Sequence, residues 1–343
     1  MKGYALSVAG LDPSGGAGLY QDLRVFSALG IRGQGVPTVL TVQNLQGVGR
    51  TEPLSPELLS AMLEAVVGEG PPRAVKIGLM ASSLVEELAD FLDGLPKDVV
   101  RILDPVFLFG TGGSVLTPPA YRDLARSLFP RVDLVTPNLP EALELGGEIP
   151  GSRPEDLVLM ARRLHDQYGV RAVLLKGGHR AGEEPRTDLF WTPSGERFFS
   201  HPFRRLPGVH GGGCTLSSLV AALLVRGESS LIDAVARALE LYQMLLAQVS
   251  GEGRAVLDPD VLRPFFPLPD NHSSRLLSFF SCGKYPTGSL LLATPLCYNG
   301  EVHFGRCHFQ RGDDGFFRFC PEELCCLPYY RRLSRPVREA SRP

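Results

Sequence analysis

Along the first 267 positions, short apolar runs alternate with segments in which apolar residues recur every three or four positions. The runs predict β-strands at residues 4–9, 35–42, 74–80, 99–104, 132–136 and 171–176. The helical spacing predicts helices at residues 19–29, 57–67, 83–92, 118–128, 154–168, 214–226 and 231–249. A Pro-Ser-Gly turn near residue 194 predicts a hairpin over 188–200. Strands alternating with helices predict an α/β fold, in which helices cover both faces of a mostly parallel sheet.

Polar residues and glycines collect just after the predicted strands, while the strands themselves stay apolar. In an open parallel sheet, ligands bind beyond the carboxyl ends of the strands. The segments concerned are residues 12–18, 43–44, 78–80, 104–106, 137–141, 176–179 and 211–214. We therefore expect a ligand site at this edge of the sheet.

Three successive glycines, Gly211, Gly212 and Gly213, precede the apolar stripe of a predicted helix. The first backbone N–H groups of a helix have no partner within it, and the helix dipole is positive there. Glycines also let a ligand approach the main chain closely, so this segment predicts an anion site suited to phosphate. The alternative is a flexible loop.

Cys214 follows the glycines directly and lies in or beside the first helical turn. The field of the helix N-terminus lowers the pKa of a thiol there, which favours the thiolate. Cys214 is thus a candidate proton acceptor. The alternative is a small core residue, because free cysteines are usually buried.

Further candidates lie in the other loops of this edge. Lys176 ends an apolar strand, where a charge usually requires an anionic partner such as phosphate. Asn138 and Glu141 form either an ordinary helix cap or a site that holds Mg²⁺ through water. Gln43 presents an amide that can read a heterocycle edge, or is a plain strand-end residue.

The loop of residues 12–18 matches neither common nucleotide-binding glycine pattern, so it is either a ligand-approaching loop or a tight turn. Asp22 follows in the first turns of a helix, where the dipole favours a carboxylate in any case. The histidines lack metal-binding spacing, and we expect four of them to be structural or exposed: His165, His179, His201 and His210. An anion site, an Mg²⁺ site, a buried lysine and a base are the parts that phosphoryl transfer to a hydroxyl needs.

Seven segments, in order, resemble the hydroxymethylpyrimidine/phosphomethylpyrimidine kinases of thiamin biosynthesis. They are residues 10–23, 42–48, 76–78, 103–106, 136–142, 175–179 and 210–217. The resemblance implies a ribokinase-like fold, with a central sheet of about eight strands, a small β-hairpin and usually a homodimer. It also implies MgATP as donor and two successive phosphorylations, of the pyrimidine alcohol and then of its monophosphate.

The resemblance also implies roles for particular residues. The pyrimidine site would be lined by Gly10, Asp22, Gln43, Leu79 and Val106. Lys176 would contact the ATP phosphates, and Asn138 with Glu141 would arrange Mg²⁺. Gly211, Gly212 and Gly213 would form the anion hole, and Cys214 would deprotonate the substrate hydroxyl.

Two positions depart from the family pattern. Gly212 stands where the family commonly has Thr, so a hydroxyl near the phosphates is lost, and Leu79 replaces a substrate-facing Met. Two alternatives remain open. One is a pyridoxal or pyridoxamine kinase of the same fold, and the other is a pyrimidine-binding module without turnover.

Composition restricts the class of partner. A net charge of −2 shows no basic surplus for nucleic acid or an anionic membrane, and no run reaches the roughly 18 apolar residues of a membrane span. We expect a cytoplasmic protein that binds small molecules. Six of the seven cysteines fall within residues 268–343, which differ in composition from the kinase-like domain of residues 1–267. This tail shows no strand or helix period, and we expect it to be poorly ordered.

Overall fold

The computed structural model describes residues 3–107, 116–149, 153–177, 186–202, 204, 206, 208–250 and 254–266, and the main chain of 290–298, 301–311 and 317–319. The chain divides into two compact units, Met1–Pro267 and Leu268–Pro343. None of the described helices combines the length and the apolar character needed to cross a bilayer.

A nine-stranded sheet forms the centre of the first unit. Its strands are β1 (Ala5–Leu11), β2 (Gly33–Gln43), β3 (Val48–Pro53), β4 (Ala74–Ile77), β5 (Val100–Leu103), β6 (Leu134–Val135), β7 (Val173–Leu175), β8 (Arg186–Thr192) and β9 (Gly195–His201). They lie in the order β3-β2-β1-β4-β5-β6-β7-β8-β9. The six central strands run parallel; they are β2, β1, β4, β5, β6 and β7. Strand β3 pairs antiparallel at one edge, and β8 and β9 pair antiparallel at the other.

Helices cover both faces of this sheet, as the alternating pattern predicts. They are α1 (Gly18–Ala28), α2 (Pro56–Val67), α3 (Val85–Gly94), α4 (Pro118–Leu128), α5 (Leu139–Gly146), α6 (Pro154–Tyr168), α7 (Gly212–Arg226) and α8 (Leu231–Leu246). Helices α2 to α6 contribute to one apolar core, and α1, α7 and α8 to the other. The central strands are apolar because both of their faces are buried.

Shorter elements complete the unit. Strands β10 (Val209–His210) and β11 (Ala255–Val256) form a separate parallel pair beside the start of α7. Single-turn or longer 3₁₀ segments cover Ser82–Leu84, Phe129–Arg131 and Pro259–Phe265.

The predicted fold class is confirmed, but the sequence pattern missed β3 and α5. Strand β3 is polar and partly exposed, and it forms because an Asn44 turn folds it back onto β2: the Asn44 side chain accepts hydrogen bonds from Gln46 N and Gly47 N at 2.8 and 3.1 Å. Helix α5 has only eight residues, too few for a clear apolar period. Local hydrogen bonding, rather than hydrophobic spacing, defines both elements.

The second unit contains an antiparallel sheet of three strands, β12 (Leu290–Tyr298), β13 (Glu301–Arg311) and β14 (Phe317–Phe319). The sequence of this unit shows no strand or helix period, so no regular element is expected here. Apolar and polar residues do not alternate regularly in the sequence of these segments, which is why the hydrophobic pattern did not predict the strands. The sequence does hold one signal for this hairpin: Asn299-Gly300, a dipeptide typical of two-residue hairpin turns, stands between β12 and β13.

Candidate active site

A cleft of about 580 Å³ opens at the carboxyl ends of the parallel strands, the edge that the sequence predicts. The residues that line it follow strands in both the N-terminal and the C-terminal part of this unit. It brings together all but one of the predicted site residues: Gly10, Gln43, Leu79, Val106, Asn138, Glu141, Lys176, Gly211, Gly212, Gly213 and Cys214. Residues more than 200 positions apart in the sequence, such as Gly10 and Cys214, therefore share one site.

The glycine segment forms the N-terminus of α7, as expected. Gly211 is its N-cap, with φ of +72° in the left-handed region that favours glycine. A β-carbon at Gly213 would lie 3.0 Å from Oδ2 of Asp104 and 3.1 Å from Nζ of Lys176. The main chain can pass this close to both charged groups only because these residues have no side chains. The first N–H groups of α7, which have no partner within the helix, therefore border the cleft beside a lysine.

Lys176 is held by Asp104, a residue that follows β5. Its Nζ lies 3.0 Å from Oδ1 of Asp104, and Thr136 donates to the same oxygen at 3.0 Å. Burial lowers the pKa of the Lys176 ammonium group, but the carboxylates of Asp104 and Glu141 more than reverse this, so the pKa is raised. Lys176 is therefore a fixed cation at neutral pH.

Asn138 and Glu141 form a capping box at the start of α5. The Asn138 side chain accepts from Glu141 N at 2.9 Å, and Oε2 of Glu141 accepts from Asn138 N at 2.8 Å. Burial raises the pKa of Glu141 to about 7, although Lys176 acts in the opposite direction. The described residues contain no group of three His, Cys, Asp or Glu able to hold a metal ion directly. A cation here would be held through water and through its own ligand, the way proteins commonly bind Mg²⁺.

Cys214 lies in the first turn of α7, half-buried, and lines the cleft. The expected fall in its pKa is wrong. Burial raises the pKa of the thiol to about 11, and the carboxylates of Asp22 and Asp104 act in the same direction, whereas the cation of Lys76 opposes them. Desolvation of the thiolate outweighs the helix field and the nearby lysine.

Asp22 corrects a second expectation, because it does not line the cleft. Its side chain is fully buried and accepts hydrogen bonds from Ser7 at 2.6 Å and from Ser218 at 2.7 Å. Nζ of Lys76, also fully buried, lies 2.9 and 2.8 Å from its two oxygens. The carboxylate is fully occupied by the protein and has no access to a substrate. Asp22 and Lys76 instead form a structural ion pair behind Cys214.

His210, expected to be structural or exposed, lies in the cleft wall. Its Nε2 is 2.7 Å from Oδ2 of Asp12. Burial raises the pKa of Asp12, but hydrogen bonds from His210 and Ser14 outweigh burial and lower it. Asp12 is therefore a carboxylate, which can only accept, and Nε2 of His210 carries the donated hydrogen.

The same nitrogen lies 3.2 Å from the side-chain nitrogen of Gln43. Two donors cannot bond, so the amide oxygen of Gln43 belongs beside His210, and the amide nitrogen beside Thr41, 3.2 Å away. Thr41 is free to accept, because its hydroxyl hydrogen goes to Leu11 O at 2.9 Å. His210 and Thr41 thus fix the orientation of the amide that faces the cleft.

Sequence reasoning assigned His210 to a structural or exposed position, and it placed Asp12 and Asp104 in loops of the ligand edge without giving either a role. Two of them carried a usable signal, since His210 directly precedes the glycines and Asp104 ends a strand at the ligand edge. Lys76 also stood out as a lysine within the apolar strand β4.

Comparison with known proteins agrees with this architecture. The family model described as "Phosphomethylpyrimidine kinase" matches residues 12–256. The hydroxymethylpyrimidine/phosphomethylpyrimidine kinase of Rhizobium meliloti is 42% identical over 244 residues, covering 69% of this chain and 88% of that protein. A crystal structure of phosphomethylpyrimidine kinase from Clostridium difficile, 33% identical, superposes with a TM-score of 0.62 over 71% of this chain and 100% of that chain.

A pyridoxal kinase of Staphylococcus aureus, solved with AMP-PCP and pyridoxal, has a TM-score of 0.66 at 23% identity, covering 76% of this chain and 94% of that one. It shares the fold. The sheet, its two helical layers and the glycine-headed helix beside a lysine define the class, a ribokinase-like phosphotransferase. Within that class, the chain belongs to the phosphomethylpyrimidine kinase family.

Proposed function

We propose that the protein transfers the γ-phosphoryl group of ATP to the hydroxyl of hydroxymethylpyrimidine, and then phosphorylates the monophosphate to the diphosphate. The observation that carries this proposal is that Cys214, the glycine N-terminus of α7 and the amide of Gln43 face one cleft. A site of this kind can hold a heteroaromatic alcohol at one end and a polyphosphate at the other.

The pyrimidine end is formed by Gly10, Gln43, Leu79 and Val106. A β-carbon at Gly10 would lie 2.8 Å from Cδ2 of Leu79, so only glycine at this position leaves room for the Leu79 side chain. The Gln43 amide keeps one lone pair and one N–H for a ring that both donates and accepts. Leu79 and Val106 supply apolar surface for the ring itself.

At the phosphate end, the N–H groups of Gly211, Gly212 and Gly213 and the cation of Lys176 stabilise the charge of the transferring group. Donors fixed in advance are the main source of catalysis in phosphoryl transfer. The AMP-PCP bound to the Staphylococcus aureus neighbour supports ATP as the donor. Asn138 and Glu141 would hold Mg²⁺ through water. The metal, when bound, neutralises charge on the phosphate oxygens.

Cys214 is the proposed proton acceptor for the substrate hydroxyl. With the thiol pKa raised to about 11, the free protein holds this proton at neutral pH. The thiolate takes up the hydroxyl proton as the new O–P bond forms, while the bond between the γ-phosphorus and the bridging oxygen of ATP breaks and ADP leaves. The fraction of the enzyme in which Cys214 is a thiolate therefore increases with pH.

An ATP-coupled assay on the pyrimidine alcohol, on its monophosphate and on pyridoxal tests this function. We expect turnover of both pyrimidines. A preference for pyridoxal by about tenfold or more in kcat/KM, which is about 1.4 kcal/mol of discrimination, would assign the protein to the pyridoxal kinases instead. Binding of the pyrimidine without any ATP consumption would make it a binding module.

We also propose a homodimer in the cytoplasm. Support for the dimer comes from the edge of the sheet formed by β2 and β3. Three apolar side chains are exposed there, Leu40 by 46%, Val42 by 64% and Leu45 by 38%. Apolar patches of this kind often mark a contact between subunits. Sedimentation velocity on the wild type and on Val42→Asp would test it: the variant should sediment as a monomer, and a monomeric wild type would contradict the dimer.

A further inference from the structure

Tyr242 is a residue of the cleft to which the family resemblance assigns no role. It lies on α8 and lines the cleft together with Gly212 and Lys176. A β-carbon at Gly212 would lie only 2.5 Å from Oη of Tyr242. The phenol oxygen therefore occupies the space into which any other residue at position 212 would direct its side chain, directly beside the anion-binding glycines.

The hydroxyl of Tyr242 is available to a ligand. Among the hydrogen bonds of the residues that the structure describes, none involves this hydroxyl. Burial raises the pKa of Tyr242 to about 12, although the cation of Lys176 acts in the opposite direction. The phenol thus keeps its hydrogen at neutral pH. A neutral phenol in a cleft without an internal acceptor can donate to an anion.

Position 212 is where this chain departs from the family that it resembles, because a glycine stands in place of a hydroxyl-bearing threonine. The structure supplies a hydroxyl at that point from another helix. Taking the proposed kinase function as given, we infer that Tyr242 is a further catalytic residue, whose hydroxyl donates a hydrogen bond to the phosphoryl group held by Gly211, Gly212 and Gly213.

The alternative is that the Tyr242 ring only fills space over Gly212, in which case phenylalanine would serve equally well. The Tyr242→Phe variant separates the two, assayed by ATP consumption at saturating ATP. A hydrogen bond to a charged group contributes enough for a fall in kcat of about 10- to 100-fold, with KM for the alcohol within about twofold. An unchanged kcat would overturn the inference.

Position 212 offers a rescue with a matched control. Without the phenol oxygen, a small side chain fits there, so we compare Tyr242→Phe/Gly212→Ser with Tyr242→Phe/Gly212→Ala. The two double variants differ by one hydroxyl. We expect the serine variant to recover about tenfold in kcat over the alanine variant, the contribution of one charge-assisted hydrogen bond. Equal rates for the two would show that no hydroxyl is needed at this point, against the inference.

A binding measurement tests the role of Tyr242 without the alcohol substrate. Calorimetry compares ADP alone with ADP plus aluminium fluoride, a mimic of the transferring phosphoryl group, in wild type and Tyr242→Phe. The variant should bind ADP as the wild type does and lose about tenfold in affinity only when the fluoride is present. Equal losses under both conditions would overturn the inference. If the wild type turned over no alcohol, the proposed function would fail, and this measurement would still decide the role of Tyr242.

Discussion

The buried Asp22–Lys76 pair gives the sharpest test of how the site is built. Both side chains are fully buried, and the carboxylate accepts from Lys76, Ser7 and Ser218 at 2.6 to 2.9 Å. The substitution Asp22→Asn leaves the Lys76 ammonium group buried without its counter-charge. We expect the free energy of unfolding to fall by about 3–5 kcal/mol, the usual cost of breaking a buried ion pair from one side.

The measurement is urea unfolding of Asp22→Asn, Lys76→Met and the double variant. Because the double variant carries no unpaired charge, it should be more stable than the sum of the single losses predicts, with a coupling energy of about 2 kcal/mol or more. Asp123→Asn is the matched control: it breaks an exposed pair with Arg126 at 2.6 Å and should cost at most about 1 kcal/mol.

The same variants distinguish a structural role for Asp22 from the substrate contact that the resemblance implies. We expect KM for the pyrimidine alcohol in the folded fraction of Asp22→Asn to stay within about twofold of wild type, because the buried carboxylate contributes no binding energy to the substrate. Additive losses in the cycle, or a large rise in KM at unchanged stability, would refute the argument from burial.

Five other outcomes are expected. Cys214→Ala should lose about 100-fold or more in kcat, while its ATP affinity, measured by calorimetry, stays nearly unchanged. The kcat/KM of the wild type should rise from pH 7 to 9, because the thiol pKa is raised to about 11 and more of the thiolate forms as the pH rises. A flat pH profile would contradict the role of Cys214 as base. MgATP affinity should weaken from pH 8 to 6 as Glu141, with a pKa raised to about 7, takes up a proton, and this pH dependence should vanish in Glu141→Gln. His210→Ala should raise KM for the alcohol more than it lowers kcat, because it frees the Gln43 amide; equal effects on both would argue for a general structural loss. Truncation after Pro267 should leave the thermal midpoint and turnover of the first unit unchanged, and a loss of either would show that the tail contributes.

The sequence determined the architecture and the position of the site. Hydrophobic periodicity is set by which faces are buried, so it predicted α4 and α6 with their bounds and most of the parallel strands. Topology then fixed the ligand edge, because the carboxyl ends of parallel strands meet there. Gly211, Gly212, Gly213, Lys176 and Cys214 were identifiable for this reason, as residues of unusual type directly after strands.

Only the tertiary structure decided which charged side chains pair with each other and which groups hold their protons. Burial and neighbouring charges set the pKa of the Cys214 thiol, which holds its proton although it begins a helix, and neither is visible in a local pattern. The Asp22 carboxylate is paired with Lys76, which is 54 positions away in the sequence. The hydroxyl of Tyr242 reaches Gly212 only because α7 and α8 pack together. Helix and strand periods follow from each segment's own residues, whereas the chemistry of a site depends on distances between segments that only folding sets.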